Sequence, residues 1–484
     1  MKRPMLIVGA SALLVSVAAV CNRNLTEMIV LICALLVVAA VVLCVFFKTY
    51  RLLILALIIL TVAVRCRSFC QKTEFLKNID GDLFVTANVT QIERYSDNTV
   101  CKLRCDSVNG RNVRLSLYAD VYNGVYMSYG DSVRVALRVK SLGDVYDLAD
   151  GVCGRCELVR IYERTPSKGI YRLISDIRTE SVGRIFSLAD FDSGSMLAGI
   201  STGNRDYLSP DFAANVRRTG VSHVMVVSGL HLSILISGVL GFLRKKRLDG
   251  IPSFAAGIVM LSAIAAVAGL SPSIMRAGLV YFLTLAGIAV GRRADALNSF
   301  FFAAVVCLII NPYMSASISF QLSMTATFGV LVPAPCLISV YSPRRRNTLS
   351  RRVRAAIIES VCVTLCATVM TLPVTLAHFK AVSVISVISN LLITYTVTAS
   401  LMLAVTGLLV YFLPAESDCL LFAAGAISRY NVFVINTLGE VPFAYLEFHN
   451  VTAPFILSLA LCAELCLCCC KMYDRRDVRR DRFA

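Results

Sequence analysis

The chain has 484 residues, of which 57% are hydrophobic and only 16% are charged, and its mean hydropathy is +0.71. This balance excludes an ordinary soluble protein, because apolar runs of about 20 residues, the length that crosses a bilayer core, recur along the chain. The formal net charge of +17 is concentrated between these runs, so the basic residues indicate membrane topology before they indicate a ligand.

Twelve apolar segments of the sequence are long enough, or nearly so, to cross a membrane as helices. The third is short, and the tenth is long enough to be a tilted helix, a broken helix or a hairpin. We therefore predict a polytopic α-helical membrane protein with about 12 spans. The predicted spans are 4–20, 27–47, 51–65, 222–243, 251–269, 273–290, 296–310, 315–334, 355–376, 383–412, 418–438 and 453–470.

Basic clusters between these segments predict the orientation of the chain, since short cytoplasmic loops gather lysine and arginine. The clusters at 244–247, 292–293 and 344–354 lie an even number of spans apart. They predict a multi-pass protein of the cell membrane whose two termini are cytoplasmic and whose segment between the third and fourth spans is extracellular. The predicted regions are membrane spans at 1–66, an extracellular domain at 72–165, an amphipathic helix and outer segment at 168–220, a membrane domain at 221–470 and a basic cytoplasmic tail at 471–484.

The extracellular segment contains short β-prone runs separated by turn formers such as Asn109-Gly110 and Gly130-Asp131. Several of the runs, at 83–92, 100–105, 112–119 and 132–139, alternate with period two. Four or five strands in this length predict a small β-barrel of the OB type, with a β-sandwich fragment as the alternative. The following segment, 170–190, has the period of an amphipathic helix, which could lie along the outer membrane surface.

Basic residues alternate with apolar ones along the predicted strands. In the fourth run the apolar side chains at odd positions face one way, and Arg134 and Arg138 face the other. An OB barrel uses such a face to follow a nucleic-acid backbone, although a solvated sheet face explains the same pattern. The candidate nucleic-acid contacts are Lys102, Arg104, Arg114, Arg134 and Arg138.

The four cysteines of the predicted extracellular domain are Cys101, Cys105, Cys153 and Cys156. Because the extracellular side is oxidising, we predict that they form disulfides, in one of three pairings between which the sequence cannot choose. The Cys153-Gly-Arg-Cys156 spacing also suits zinc, so a zinc site completed by the other two is the alternative. The remaining cysteines mostly lie in or beside apolar segments, where cysteine usually acts as a small hydrophobic residue.

Polar residues inside the predicted spans are candidates for function, because ionisable groups in a bilayer are costly and usually face a cavity. His223 and His231 are eight residues apart at the start of the fourth span, on one side of a helix but too far apart to bind one metal ion. Arg276, near the outer end of the sixth span, suits phosphate, and snorkelling to the interface competes with that interpretation. Gln321 and Asn390 lie among apolar residues, where they could also serve as links between helices.

Arg205, Arg217 and Arg218 lie just before the fourth span, on the predicted outer side. Positive charge there runs against the usual distribution, which places lysine and arginine in the cytoplasm. An anionic partner would explain the exception.

Several short motifs in 195–395 resemble, in order and spacing, the signature of the ComEC family of competence proteins, which are DNA-uptake channels of bacterial membranes. The predicted OB-type domain also looks like one that this family carries near its N-terminus. The motifs are Gly203-Asn-Arg-Asp-Tyr-Leu-Ser, Val216-Arg-Arg-Thr-Gly-Val-Ser-His223, Val227-Ser228-Gly-Leu-His231, Pro272-Ser-Ile-Met-Arg276-Ala, Asn311-Pro312, Phe320-Gln321-Leu-Ser323, and Leu372-Pro373 followed by Phe379 and Asn390.

The resemblance implies transport of single-stranded DNA across the cytoplasmic membrane during natural transformation. It also implies that the DNA receptor, nuclease and cytoplasmic motor of the competence machinery are separate proteins, with membrane lipid as the other partner. This chain has Gly203-Asn204-Arg205 where the family usually has Gly-Asp-Arg. It also has no His-x-His-x-Asp-His motif of the metallo-β-lactamase-like domain found in longer members, so we expect no enzymatic activity and no cofactor or metal.

With DNA as the substrate, the polar residues of the spans become candidates for a DNA path. The path residues are His223, Ser228, His231, Arg276, Gln321 and Asn390, and the entry residues are Arg205, Arg217 and Arg218. Two other functions compete. A transporter of a small anion or lipid-linked solute could use Arg276 and the histidines as substrate and proton groups. An intramembrane metalloenzyme ranks last, because no third metal ligand is apparent beside the histidines.

Overall fold

The structure, a computed structural model, shows a mostly helical protein with one closed five-stranded barrel. It divides into two compact units, Met1–Val182 with Leu232–Ser317, and Gly183–His231 with Ile318–Ala484. The described residues are 50–79, 81–94, 99–122, 127–204, 206–225, 250–268, 272–290, 295–342, 348–412 and 418–481, with scattered positions in 8–17 and 232–245.

The helices are numbered in chain order. They are α1 (Tyr50–Lys77), α2 (Val145–Ala149), α3 (Ile170–Leu188), α4 (Phe191–Thr202), α5 (Pro210–Arg218), α6 (Ile251–Ala268), α7 (Pro272–Ala289), α8 (Ala296–Ile310), α9 (Ile318–Leu331), α10 (Pro333–Tyr341), α11 (Leu349–Phe379), α12 (Ser386–Tyr411), α13 (Asp418–Gly439) and α14 (Thr452–Asp481). A 3₁₀ helix, Pro312–Ala316, follows α8.

The barrel lies in the first unit and is built from five strands. They are β1 (Asp82–Arg94), β2 (Thr99–Val108), β3 (Leu115–Val121), β4 (Ser132–Leu142) and β5 (Gly154–Thr165). The order around the barrel is β1-β2-β3-β5-β4, and β1 pairs with β4 to close it. Only the β3–β5 pair is parallel among these five strands.

Period-two alternation determines which side chains fill the barrel. Val133, Val135 and Leu137 are buried, whereas Arg134 and Arg138 point outward, as the sequence pattern predicted. The last turn of α1 completes this core, because Leu76 is only 1% exposed and packs among the barrel residues. Helix α1 therefore joins the third predicted span directly to the barrel.

Five helical segments in the described part of the chain are long and apolar enough to cross a membrane. They are Ile318–Tyr341, Leu349–Phe379, Ser386–Tyr411, Asp418–Gly439 and Thr452–Cys469. Three shorter apolar helices are Ile251–Val267, Ile274–Gly287 and Ala296–Ile310. The predicted spans 4–20, 27–47 and 222–243 lie wholly or mostly outside the described residues.

The predicted segment 383–412 contains one unbroken helix, α12, rather than a hairpin. A short strand, β6 (Ala381–Ser383), precedes this helix and pairs with β7 (Tyr445–Glu447).

Close helix packing in the second unit follows from small residues and one proline. A Cβ on Gly329 would lie 2.7 Å from the Cys366 carbonyl oxygen, so glycine lets α9 and α11 approach closely. Within α11, Pro373 has no N–H to donate to the Val369 carbonyl. The Cys462 thiol of α14 donates to that oxygen instead, with Sγ and O 3.1 Å apart.

Candidate nucleic-acid interface

A row of polar side chains crosses the outer face of strands β2, β3 and β5. Lys102 pairs with Tyr118, which in turn pairs with Arg155. The Lys102 Nζ and the Arg155 Cζ lie 5.9 and 5.7 Å from the centre of the tyrosine ring. The Lys102 Nζ also donates to the Asp150 carbonyl oxygen at 2.6 Å, and burial lowers the pKa of Lys102 although Asp150 opposes this shift. Lys102 is therefore partly committed to contacts within the protein.

The two predicted contacts on β4 are engaged in ion pairs. The Arg134 Nη1 lies 3.2 Å from a Glu163 carboxylate oxygen, and the Arg138 Nε lies 3.0 Å from Asp82 Oδ1. Exposed pairs like these contribute little to stability, on the order of 0–1 kcal/mol. They do reduce the local positive charge, so both arginines are weaker candidates for binding a phosphate than the sequence suggested.

Arg104 and Arg114 instead line a cavity of about 200 Å³ beside β2 and β3. Lys72 of α1 lines the same cavity, and its Nζ lies 5.5 Å from the centre of the Phe69 ring. Sequence reasoning missed Lys72, because it precedes the strands and carries no pattern of its own. We refer to Lys72, Arg104 and Arg114 as the basic pocket.

An exposed aromatic pair lies on β1 and β5. Phe84 and Tyr162 are 56% and 55% exposed, and the centres of their rings are 5.9 Å apart. The Arg160 guanidinium carbon lies 5.6 Å from the centre of the Tyr162 ring. Exposed aromatic rings beside a cation are the combination on which unpaired bases stack. Tyr162 was missed because β5 was not among the runs identified from sequence.

The four cysteines of the barrel are buried thiols, contrary to the disulfide prediction. The strand order excludes a Cys101–Cys156 bond, because Cys101 on β2 and Cys156 on β5 both pair with Ala119 of the intervening β3. Two strand spacings of about 4.8 Å separate their backbones by more than the roughly 7 Å that a disulfide tolerates. The described residues also contain no group of three or more ligands arranged for a metal ion, so the zinc alternative gains no support.

The Asn311-Pro312 motif fastens the barrel to the membrane-side helices of the first unit. The Asn311 side chain is buried, and its Nδ2 donates to the carbonyl oxygens of Leu148 and Ala149 at 2.8 and 2.9 Å. Its Oδ1 accepts from the Tyr313 N–H at 3.0 Å. Tyr313 is fully buried, and its ring centre lies 5.9 Å from that of Phe69. The motif thus fixes α2, the short helix between β4 and β5.

In the second unit, Gln321 pairs with a histidine that sequence reasoning did not single out. The Gln321 Oε1 and His378 Nε2 atoms lie 2.9 Å apart, linking α9 to α11. The available signal was the position of His378 directly before Phe379 in the motif that begins with Leu372-Pro373. Asn390 is buried in the second turn of α12, and its carbonyl oxygen accepts from Thr394 Oγ1 at 2.5 Å. His223 lies in a turn after α5 and is exposed.

Arg276 of α7, in the first unit, is 5% exposed and is the most buried arginine among the described residues. Such burial argues against snorkelling to the membrane surface, which would keep the guanidinium in water. Its role in an interior path stays a prediction.

The predicted entry arginines are only partly described. Arg217 and Arg218 are exposed in the last turn of α5, whose first turn is capped by Ser209. Arg205, Ser228 and His231 lie outside the described residues.

Comparison with known proteins gives the family. A family model described as Competence protein matches residues 200–474, which is more than half of the chain. The chain belongs to the ComEC family of competence proteins. The predicted path residues and the entry residues all lie within the matched region, whereas the barrel precedes it.

Two curated relatives cover only part of this chain. It is 28% identical over 265 residues to the ComE operon protein 3 of Bacillus subtilis strain 168, which is 53% of this chain and 32% of that protein. It is also 28% identical over 244 residues to an uncharacterized protein of Aquifex aeolicus strain VF5, which is 50% of each. No solved structure matches. The matches thus span a third to a half of the length of these relatives.

Proposed function

We propose that this protein transports a single strand of DNA across the cytoplasmic membrane during natural transformation. The observation that carries the proposal is the competence match over residues 200–474, which contains every predicted path residue. Apolar helices in the same region provide the membrane-crossing part. We further propose that the whole chain makes about 12 spans and acts without catalysis, next to a separate receptor, nuclease and motor.

The barrel is proposed to be of the OB type and to receive DNA outside the cell. Its order β1-β2-β3-β5-β4 and its parallel β3–β5 pair support that assignment, since OB folds are five-stranded Greek-key barrels. The basic pocket offers positive charge for the backbone, and the Phe84–Tyr162 pair offers surfaces for bases. Both features suit a flexible single strand better than a duplex, whose bases are stacked inside.

Inside the membrane, the proposed path is lined by a few polar groups. A passing strand carries one negative charge per nucleotide, so the path must replace part of the water around each phosphate. It must also release the strand, and neutral donors such as Gln321 and a histidine bind more weakly than a ring of arginines would. The Gln321–His378 pair adds a second polar side chain to the predicted set.

Orientation can be tested separately from transport. We propose that both termini are cytoplasmic and that the barrel is extracellular. Reporter fusions after Lys246 and after Arg346 should then report a cytoplasmic position, and a fusion within 80–160 should report an external one. A cytoplasmic barrel would rule out its role as an outer DNA-binding domain.

The decisive experiment compares a naturally competent strain with a deletion of this gene and a complemented deletion. We expect the deletion to retain DNA at the cell surface but to lose nuclease-protected labelled DNA and transformants. Complementation should restore both. Unchanged transformation in the deletion would refute the proposal, and an accompanying loss of uptake of a small anion would favour a solute transporter instead.

A further inference from the structure

We infer that the basic pocket, formed by Lys72, Arg104 and Arg114, anchors one backbone phosphate of the transported strand outside the membrane. The inference rests on the proposed function and deepens it, because it assigns a specific phosphate-binding site and includes a helix residue outside the barrel. The three cations lie around one small cavity, and none of the residues that line it is acidic.

Packing of α1 on the barrel fixes the position of Lys72. Leu76 is buried in the barrel core one helical turn after Lys72, so the two side chains lie on the same face of the helix. Phe69, one turn earlier, packs against Tyr313 and lies under the Lys72 ammonium group. This cation–π contact holds the lysine at the cavity without neutralising its charge.

The register of β2 and β3 brings the two arginines together. Arg104 pairs directly with Ser116, and Arg114 is two residues before Ser116, on the same side of the extended chain. Both arginines therefore approach the cavity from neighbouring positions on one outer face. Ser116 also lines the cavity and supplies a neutral polar wall.

None of the residues that line the cavity, all of them described, is acidic. The nearest carboxylate along β2, that of Asp106, accepts a hydrogen bond from Asn88 Nδ2 at 2.9 Å and does not line the cavity. The arrangement contrasts with β4, where Arg134 and Arg138 each contact a carboxylate. Three like charges around one cavity repel each other, and a bound anion would remove that cost.

The size and chemistry of the cavity select a phosphate group. A volume of about 200 Å³ is below the roughly 300–1,000 Å³ of pockets that enclose whole drug-sized ligands. The site thus suits one phosphodiester better than a complete nucleotide. Two guanidinium groups can bind phosphate oxygens in a bidentate manner, and the lysine adds a point charge.

A nucleic-acid strand fits the surroundings better than a lipid headgroup. Lys102 is two residues before Arg104 on the same face of β2 and lies beside the Tyr118 ring, so an amine and an aromatic surface continue from the pocket along the barrel. Arg155, at the far end of this row, is paired with Asp147 and adds no net charge. A strand has further phosphates and bases to place along this row. A lipid has a single headgroup and would leave the row unoccupied.

The test uses the full-length protein in nanodiscs of neutral lipid and a fluorescent single-stranded oligonucleotide. The pocket variant is Lys72→Gln, Arg104→Gln and Arg114→Gln combined. Its charge-matched control is Lys140→Gln, Arg172→Gln and Arg429→Gln combined, which removes three ion-paired cations that are not among the candidate DNA contacts. Elution as a single species and unchanged thermal unfolding show that each variant is folded.

Binding is measured by fluorescence anisotropy over a range of salt concentrations. Affinity falls as salt rises, and each lost phosphate contact makes this fall less steep by about 0.7 in the slope of log affinity against log salt for single strands. Because the three cations share one phosphate, the pocket variant should lose about 0.7 of the slope. It should also bind roughly tenfold more weakly, or worse. The control should retain the parent slope. Equal losses in both variants would mean that only the overall charge matters and would overturn the inference.

Three further outcomes separate the inference from the proposed function. If the parent binds the oligonucleotide and the pocket variant binds it equally well, the pocket inference fails while DNA transport stands. If the pocket variant instead loses only co-purified anionic lipid, the cavity holds a lipid phosphate, and the inference is again overturned. If the parent binds no oligonucleotide and its deletion strain transforms normally, both fail.

Discussion

Replacing Asn311 by alanine tests whether the barrel is fastened by this single buried side chain. The substitution removes three hydrogen bonds, to the Leu148 and Ala149 carbonyl oxygens and from the Tyr313 N–H. The Leu148 oxygen keeps a bond from the Gly151 N–H at 2.9 Å, so the main loss falls on Ala149 and Tyr313.

The loss of stability in Asn311→Ala follows from the burial of the Ala149 carbonyl and the Tyr313 N–H. Leaving a buried donor or acceptor unsatisfied costs about 1–3 kcal/mol, so the two groups together cost about 2–6 kcal/mol. Asn311→Asp should be at least as harmful, because it places a carboxylate against two carbonyl oxygens. Asn88→Ala removes a bond on the barrel surface and should change stability by no more than about 0.5 kcal/mol.

Hydrogen exchange measured by mass spectrometry on residues 144–153 reports this local opening. A destabilisation of about 2 kcal/mol or more corresponds to roughly 30-fold faster exchange in that segment. The barrel strands themselves should keep their protection, because their core does not include Asn311. If Asn311→Ala exchanges no faster there than Asn88→Ala, the Asn311 side chain does not hold the barrel in place.

Three other predictions address binding, redox state and transport. Alanine at Phe84 or Tyr162 should weaken binding of single-stranded DNA in an anisotropy titration by about 1–3 kcal/mol each, whereas alanine at the equally exposed Tyr122 should have no effect. Burial raises the pKa of the Cys156 thiol to about 12 and also raises the pKa of Cys105, so both thiols stay protonated at pH 8. Iodoacetamide should therefore alkylate them only after the protein is denatured without reductant. Mass spectra of the denatured protein that lack this alkylation would indicate disulfides. Arg276→Ala and His378→Ala, at normal membrane levels, should each lower the transformation frequency by about tenfold or more, which corresponds to about 1.4 kcal/mol in a rate-limiting barrier. The control Arg429→Ala should transform like the parent. A parental frequency for all three variants would remove Arg276 and His378 from the path.

Period-two alternation made most of the barrel predictable. In β3 the apolar residues alternate with polar ones without interruption, and in β4 Val133, Val135 and Leu137 face the core as expected, with Ala136 the one break in the pattern between them. Strand β5 escaped because its second half, from Arg160 onward, is exposed on both faces and register shifts interrupt its pairing with β4. An exposed strand without alternation carries no signal of burial.

The candidate sites were less predictable, because each depends on residues distant in sequence. Arg104 and Arg114 were identified from a basic pattern, but the same pattern also included Arg134 and Arg138, whose partners Glu163 and Asp82 become visible only through strand pairing. Lys72 reaches the pocket only because α1 runs into the barrel core. Charge patterns locate cations, whereas pairing across strands determines which of them retain an unbalanced charge.

The contacts also separate two kinds of role among the motif residues by which the family is recognised. Asn311 contacts backbone groups of α2 and the 3₁₀ helix, all buried, so its side chain has no remaining polar atom for a passing strand. Gln321 uses its oxygen on His378 and so links α9 to α11 through side chains alone, without the backbone contacts that Asn311 makes. Loss of transformation after substitution of Asn311 would therefore arise from release of the barrel. The same loss after substitution of His378 in a stably assembled protein would arise from the path itself, and hydrogen exchange at α2 distinguishes the two because only the first defect increases it.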